Sequence, residues 1–235
     1  MVKRKTIKSI EGGGDRMAKK RKAKIKSREN GVKKSTNGNG TLWFELKRQL
    51  VHILLGLLVI LLALKDREFT LWFLLVLILI GVLLSLLQLK FRFKAVELLL
   101  GGFEREKYRK RFPFKGALFF LTGCLLVLKI FSFDIALASI AILTFSDSVS
   151  HVIGLYGRRK NPLNTTKNME GAFAGFVAGT IAGAFFVPFL LALFASLASM
   201  FAEALSFKLQ EEDVDDNVII PLVAGTVIFL LQRFF

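Results

Sequence analysis

The sequence contains a single cysteine, Cys124, among its 235 residues, so no intramolecular disulfide can form. Cys124 lies in an apolar run, where we expect it to pack as a small buried hydrophobic residue. Acidic residues are also few, with 18 Asp and Glu against 34 Lys and Arg. The imbalance is concentrated near the start of the chain, because residues 1–48 hold 16 Lys and Arg but only four Asp and Glu.

Residues 1–41 consist largely of Lys, Arg, Gly, Ser and Asn. A segment of this composition cannot bury enough apolar surface to offset the entropy of ordering, which predicts a disordered tail. Its cations attract anionic lipid headgroups by about 1 kcal/mol per Lys or Arg near the membrane. The same charge would bind nucleic acid loosely, but no recognition fold accompanies it, so we expect no specific nucleic-acid partner.

The remaining residues, 42–235, are too apolar for a soluble domain: mean hydropathy of the chain is +0.52 and 53% of its residues are hydrophobic. The pattern predicts an all-α, polytopic membrane domain with about seven transmembrane helices. Pro188 is expected to interrupt a run that is too long for one crossing. The predicted spans are 46–64, 69–89, 116–131, 135–156, two within 169–207, and 218–234.

Basic residues collect in alternate loops, which the positive-inside rule assigns to the cytoplasm. Besides the tail, residues 90–115 hold nine Lys and Arg, and residues 157–170 hold four. The acidic segment 211–216 falls on the same side. The pattern predicts that the N-terminus and a cytoplasmic site share this face, with the C-terminus on the opposite side.

The fourth predicted span carries a polar stripe on an otherwise apolar helix. Asp147, Ser150, His151 and Gly154 are spaced i, i+3, i+4 and i+7, which aligns them along one helical face. Burying an ionised carboxylate in hydrocarbon costs several kcal/mol, so such a residue usually faces the bundle interior and has a function. Asp147 is therefore the first candidate for a functional residue.

The loop after this stripe combines glycines with cations. Gly154 and Gly157 allow close backbone approach, and Arg158, Arg159 and Lys167 supply positive charge, as a phosphate-binding loop requires. An ordinary helix end at the cytoplasmic surface, with a glycine cap and interfacial cations, would give the same local pattern.

Carboxylates in the same regions provide candidate ligands for a divalent cation, since Mg²⁺ is held by one or two carboxylates plus substrate phosphates. Asp147, Glu170, Asp215 and Asp216 are the candidates. Glu203 is either an interfacial charge or a group that holds a cation in place.

Two further features concern helix faces. Arg48 and His52 share a face of the first span at i, i+4, where His52 is either functional or a structural group. Four glycines recur at every fourth residue in the fifth span, a spacing that predicts close helix packing: Gly171, Gly175, Gly179 and Gly183.

These pieces, in this order, resemble the polyprenol kinase family, which includes dolichol kinases, phytol kinases and CTP-dependent diacylglycerol kinases. The resemblance extends from about Leu46 to Leu231. Its marks are Arg48 with His52, Ser146-Asp147 leading to Gly154 and Gly157-Arg158, Lys167 with Glu170-Gly171, Glu203, Asp215-Asp216-Asn217 and Pro221.

The resemblance implies transfer of the γ-phosphoryl group of CTP, with Mg²⁺ or another divalent cation, to the hydroxyl of a membrane lipid. Polyprenol or dolichol is the expected acceptor, with phytol and diacylglycerol as alternatives. The nucleotide would be bound by Arg48, Gly154, Gly157, Arg158, Arg159, Lys167 and Asn217. Catalysis would involve Asp147, Glu170 and His52, with Asp147, Asp215 and Asp216 at the metal and Ser150, His151 and Glu203 supporting them.

Two other interpretations remain open. A phosphatidate cytidylyltransferase would also use CTP and a membrane lipid, but its usual Lys-Asp and later Asp-Arg-x-Asp elements are missing. A small transporter or membrane scaffold should scatter polar residues through the midplane or on both faces, whereas here they cluster on one predicted face.

Overall fold

The apolar runs form helices in the computed structural model, which describes residues 42–91, 93–104, 111–162, 164, 167–205, 208–209 and 212–234. The predicted disordered tail, residues 1–41, lies outside the described residues. The chain divides into two units, Met1–Trp43 and Phe44–Phe235. The second unit contains every element discussed below apart from the first two residues of the first helix.

The described residues form eight helices and one minimal pair of strands, so the predicted all-helical class is confirmed. The helices are α1 Leu42–Lys65, α2 Arg67–Phe91, α3 Lys94–Phe103, α4 Lys115–Ile130, α5 Phe133–Gly154, α6 Met169–Gly183, α7 Phe189–Leu205 and α8 Asp216–Leu231. Strands β1 Lys208–Leu209 and β2 Glu212–Asp213 pair antiparallel between α7 and α8. Neither α3 nor this strand pair was predicted from the sequence.

Three helices, α1, α2 and α5, are long and apolar enough to cross a membrane, and α7 and α8 are shorter apolar helices. The break predicted at Pro188 is present, because α6 ends before this residue and α7 begins directly after it. Proline supplies no backbone N–H for a continuous helix, which explains the interruption. The count of seven crossings and the orientation of the termini remain predictions.

Helix α5 occupies the centre of the bundle. In its most apolar stretch 78% of the residues are buried, against 28% for α1 and 22% for α2. Helix α5 packs against α4, α6, α7 and α8. The polar residues of α5 are therefore surrounded by other helices, and Cys124 of neighbouring α4 is fully buried as expected.

The glycine stripe of α6 packs directly on α5, which confirms its predicted packing role. A Cβ atom at Gly175 would lie 2.8 Å from the carbonyl oxygen of Ser146, and one at Gly171 would lie 2.6 Å from the carbonyl oxygen of Ser150. These distances are too short for any larger residue. Contact therefore runs antiparallel along the two helices and brings the start of α6 to the end of α5.

The two ends of the bundle are held by charged side chains. At one end Arg67, which begins α2, donates hydrogen bonds to the carbonyl oxygens of Leu128 and Phe131 at the end of α4. At the other end Glu104 accepts hydrogen bonds from the backbone N–H groups of Phe114 and Lys115, where α4 begins. We call this second end, where α4, α6 and α8 begin and α5 and α7 end, the site end.

Candidate functional site

Asp147 lies on α5 near the site end and is held by a neighbour one helical turn further on. The Nδ1 atom of His151 lies 3.1 Å from Asp147 Oδ1 and 2.9 Å from the backbone carbonyl oxygen of Asp147. Two acceptors around Nδ1 place a proton on that atom. The carboxylate thus orients the imidazole.

Helix α1 brings a second histidine and an arginine to the same carboxylate. His52 Nε2 lies 3.8 Å from Asp147 Oδ2, and the His52 ring stands edge-on to Phe120 at 4.4 Å between centroids. Arg48 interacts electrostatically with Asp147 and is ion-paired to Glu45. The two residues predicted to share a face of α1 therefore both lie near Asp147.

Lys167 joins three parts of the chain that are distant in sequence. Its Nζ atom lies 2.9 Å from Glu203 Oε1 at the end of α7, and 2.8 Å from Asp216 Oδ2 at the start of α8. Burial alone would lower the pKa of Lys167, but the carboxylates of Glu203 and Asp216 outweigh it and raise the pKa above its ordinary value. The ammonium is therefore charged at neutral pH.

The loop between α5 and α6 is held by Glu170 and Asn168. The Glu170 carboxylate accepts hydrogen bonds from the backbone N–H groups of Arg158 at 3.0 Å and Arg159 at 3.1 Å. Asn168 Nδ2 donates to the carbonyl oxygen of Gly154. A Cβ atom at Gly157 would lie 2.6 Å from Asn168 Cβ, so glycine is required there. This scaffold exposes the two arginine side chains beside the start of α6.

The start of α8 is capped by one of the predicted metal ligands. Asp215 Oδ1 accepts hydrogen bonds from Asn217 N at 3.2 Å and Asn217 Nδ2 at 2.8 Å, the arrangement of an N-cap aspartate. The backbone carbonyl of Asn217 faces Gly123 of α4, where a side chain would collide with it. One oxygen of Asp215 is thus committed to the helix, whereas Asp216 faces Lys167.

The charged groups form one electrostatic cluster, because Asp147 acts on both Glu203 and Asp216, and His151 acts on Asp216. Ser150 instead contributes to packing: its hydroxyl lies 3.4 Å from the backbone oxygen of Asp147 and its Cβ faces Gly175. Four helices, α1, α5, α7 and α8, meet at the site end together with the loop before α6. The cluster consists of Arg48, His52, Asp147, His151, Lys167, Glu203 and Asp216.

Carboxylates in the cluster fit a magnesium–phosphate site better than a site made by protein alone. Among the described residues, no three His, Cys, Asp or Glu side chains converge as a metal cage. Mg²⁺ needs only one or two carboxylates when phosphates supply the other oxygens. Asp147 and Asp216 interact electrostatically, and among the described residues Glu203 Oε2 is buried with no hydrogen-bond partner.

Two groups outside the predicted set of site residues shape this site. Glu45, buried at the start of α1, pairs with Arg48 and accepts a hydrogen bond from Gln49. Its i, i+3 spacing from Arg48 was an available signal. Asn168 precedes α6 as an N-cap asparagine would, but its side chain bonds across to α5 instead, a contact that no local spacing predicts.

Two curated proteins are similar to this chain. CTP-dependent diacylglycerol kinase 1 of Schizosaccharomyces pombe is 25% identical over 152 residues, which are 57% of this chain and 67% of that protein. CTP-dependent diacylglycerol kinase 1 of Eremothecium gossypii is 26% identical over 147 residues, 51% of this chain and 46% of that protein. This chain thus spans about two thirds of the first relative and less than half of the second.

No family model matches the chain, and no solved structure is significantly similar to it. Kinases of diacylglycerol are phosphotransferases with an alcohol group as acceptor, the enzyme class predicted above from the sequence. The two similarities confirm the family relationship that the motifs indicated. The chain is similar to CTP-dependent diacylglycerol kinases, and its sequence resembles the polyprenol kinase family.

Proposed function

We propose that the protein is a CTP-dependent lipid kinase that transfers the γ-phosphoryl group of CTP to the hydroxyl of a membrane lipid. The observation that carries this proposal is the contact of Lys167 with Glu203 and Asp216 beside Asp147. It joins a cation and several carboxylates from separate helices next to a loop of exposed arginines. Phosphoryl transfer requires this kind of charge neutralisation and positioning more than covalent catalysis.

The triphosphate would lie between the loop and the cluster. Arg158 and Arg159 are exposed on a backbone held by Glu170, so their guanidinium groups are available for bidentate contacts with phosphate oxygens. Lys167 and Arg48 supply further positive charge from the cluster, and Asn217 lies in the first turn of α8. Each of these residues binds and orients the nucleotide.

A divalent cation fits the carboxylates of Asp147 and Asp216, with Asp215 as a further candidate whose Oδ1 atom also caps α8. Bound Mg²⁺ would neutralise charge that develops on the phosphate oxygens. Asp147 either contributes to that cation site or accepts the proton of the lipid hydroxyl. Both roles require its carboxylate beside the phosphates, where His151 holds it by a contact of 3.1 Å.

The lipid tail has a place to lie next to the cluster. An apolar groove of about 640 Å³ runs between α7 and α8. Its wall extends along α7 to Phe201, about one turn before that helix ends at Leu205 at the site end. We assign it to a hydrocarbon chain of the lipid substrate. The groove is lined by Phe194, Leu197, Ala198, Phe201, Val227 and Leu231.

Diacylglycerol is the acceptor that the similar proteins favour, since both are named as diacylglycerol kinases. Polyprenol or dolichol, the acceptor expected from the sequence, presents the same single hydroxyl at the membrane surface. The basic tail is proposed to bind anionic headgroups on the cytoplasmic face, on the same side as the site.

The test is an assay of detergent-purified full-length protein with γ-labelled CTP and Mg²⁺ against diacylglycerol, dolichol and phytol in turn. Labelled lipid phosphate is expected, with the highest yield from diacylglycerol. ATP, GTP and UTP, each labelled at the γ-phosphate, are the alternative phosphoryl donors for comparison with CTP. Label released as pyrophosphate would indicate a cytidylyltransferase, and no transfer to any lipid alcohol would refute the proposal.

A further inference from the structure

The ammonium group of Lys167 is surrounded by oxygen atoms, as a small metal cation would be. Its Nζ atom is 2.9 Å from Glu203 Oε1, 2.8 Å from Asp216 Oδ2 and 3.1 Å from the backbone carbonyl oxygen of Glu203. These three oxygens use all three ammonium hydrogens. In this state the ammonium has no hydrogen left to donate to a phosphate, although it lies where the triphosphate is proposed to bind.

Glu203 retains a second oxygen that no group in the described residues satisfies. Its side chain is only 6% exposed, and Oε2 has no hydrogen-bond partner. Asp147 and Asp216 both add negative charge around it. A buried carboxylate oxygen without a donor is costly and indicates a missing cation or donor.

Asp215, which sequence reasoning paired with Asp216 at the metal, is less available than Glu203. The Asp215 Oδ1 atom accepts two hydrogen bonds from Asn217 as the cap of α8. Glu203 instead directs its carboxylate to the same ammonium as Asp216. Two carboxylates that share one monovalent cation are suited to share a divalent one, which prefers oxygen ligands.

We propose that the Lys167 ammonium neutralises the Glu203–Asp216 pair when no metal is bound. When nucleotide phosphates attract the ammonium, a divalent cation replaces it between the two carboxylates. The proposal deepens the proposed function, on which it rests for the identity of the phosphates. In the exchange the carboxylates replace a monovalent partner with a divalent one, and Lys167 moves its charge to the triphosphate. Nucleotide and metal then bind cooperatively through one side chain.

The exchange predicts that removing Lys167 improves metal binding in the absence of nucleotide, because it leaves two carboxylates without a cation. Mn²⁺ serves as the probe, measured by electron paramagnetic resonance or calorimetry on detergent-purified full-length protein. Lys167→Met should bind Mn²⁺ about tenfold tighter or more than wild type. Adding Glu203→Gln should remove the gain. Lys160→Met, at an exposed position in the same loop, is the matched control and should match wild type.

A second measurement needs no variant. Mn²⁺ at saturating concentration should displace the ammonium of wild-type Lys167 and increase its modification by an amine reagent, relative to Lys160, in a mass-spectrometric footprint. If folded Lys167→Met binds Mn²⁺ no more tightly than wild type, the proposed exchange is wrong. If that variant does not fold, an unchanged modification of Lys167 in the wild-type protein overturns the exchange instead. The γ-labelled CTP assay tests the proposed function separately. If Mn²⁺ binding changes as expected but no phosphoryl group is transferred, the kinase assignment is refuted and the cation exchange is not.

Discussion

Asp147 is the residue on which the proposed chemistry most depends, because its carboxylate contacts His151 and faces His52 inside the bundle. Asp147→Asn keeps the shape of the side chain but removes its charge. We expect turnover with γ-labelled CTP to fall about 100-fold or more, as for loss of one electrostatic catalytic group. Ser139→Ala, buried in the same helix, is the control and should retain activity. Full turnover by Asp147→Asn would exclude both roles proposed for this carboxylate.

Glu170 holds the loop between α5 and α6 by hydrogen bonds to its backbone rather than to the arginine side chains. Its carboxylate accepts the N–H groups of Arg158 and Arg159. Glu170→Gln weakens these charge-assisted hydrogen bonds, so we expect the KM for CTP to rise several-fold while kcat changes less. Steady-state kinetics measures both constants. Glu68→Gln, an exposed first-turn acid of α2, should change neither, and an unaltered KM for Glu170→Gln would contradict this role.

At the scale of elements, the contact between α5 and α6 depends on glycine. A Cβ atom at Gly175 would lie 2.8 Å from the Ser146 carbonyl oxygen, whereas one at Gly102 in α3 would meet nothing within 4 Å. Gly175→Ala should lower stability by about 1–3 kcal/mol through overpacking. Gly102→Ala should leave it unchanged or raise it slightly, since alanine favours helix. Thermal unfolding in detergent compares the two, and equal shifts would argue against tight packing.

The groove between α7 and α8 gives a second element-scale prediction. Ala198→Trp places a large side chain inside the groove. We expect the KM for the lipid acceptor to rise several-fold while the KM for CTP is unchanged, because the proposed nucleotide site lies at the charged end. Leu190→Trp, exposed on the same helix outside the groove lining, is the control. Equal lipid KM values for both variants would show that the tail lies elsewhere.

Sequence patterns predict these elements better than the contacts between them. The helix runs follow from apolar length, and Pro188 marks a break that is present. Asp147 was identifiable because a charge inside an apolar helix is costly. The partners of Lys167 were not, since Glu203 and Asp216 lie 36 and 49 residues away in sequence. Only helix packing determines such a meeting.

For the whole molecule, the remaining question is which side of the membrane the site end faces. The positive-inside rule assigns this end to the cytoplasm because the basic loops adjoin it. Exposed Lys160 belongs to the site end, and exposed Ser132 precedes α5 at the opposite end. Native Cys124 is fully buried, so the unmodified chain should not react with a membrane-impermeant maleimide and serves as the negative control. In intact bacterial cells Ser132→Cys should be labelled, whereas Lys160→Cys should be labelled only after permeabilisation. The reverse pattern would place the proposed nucleotide site outside the cytoplasm, where CTP is not supplied, and would refute the proposed orientation.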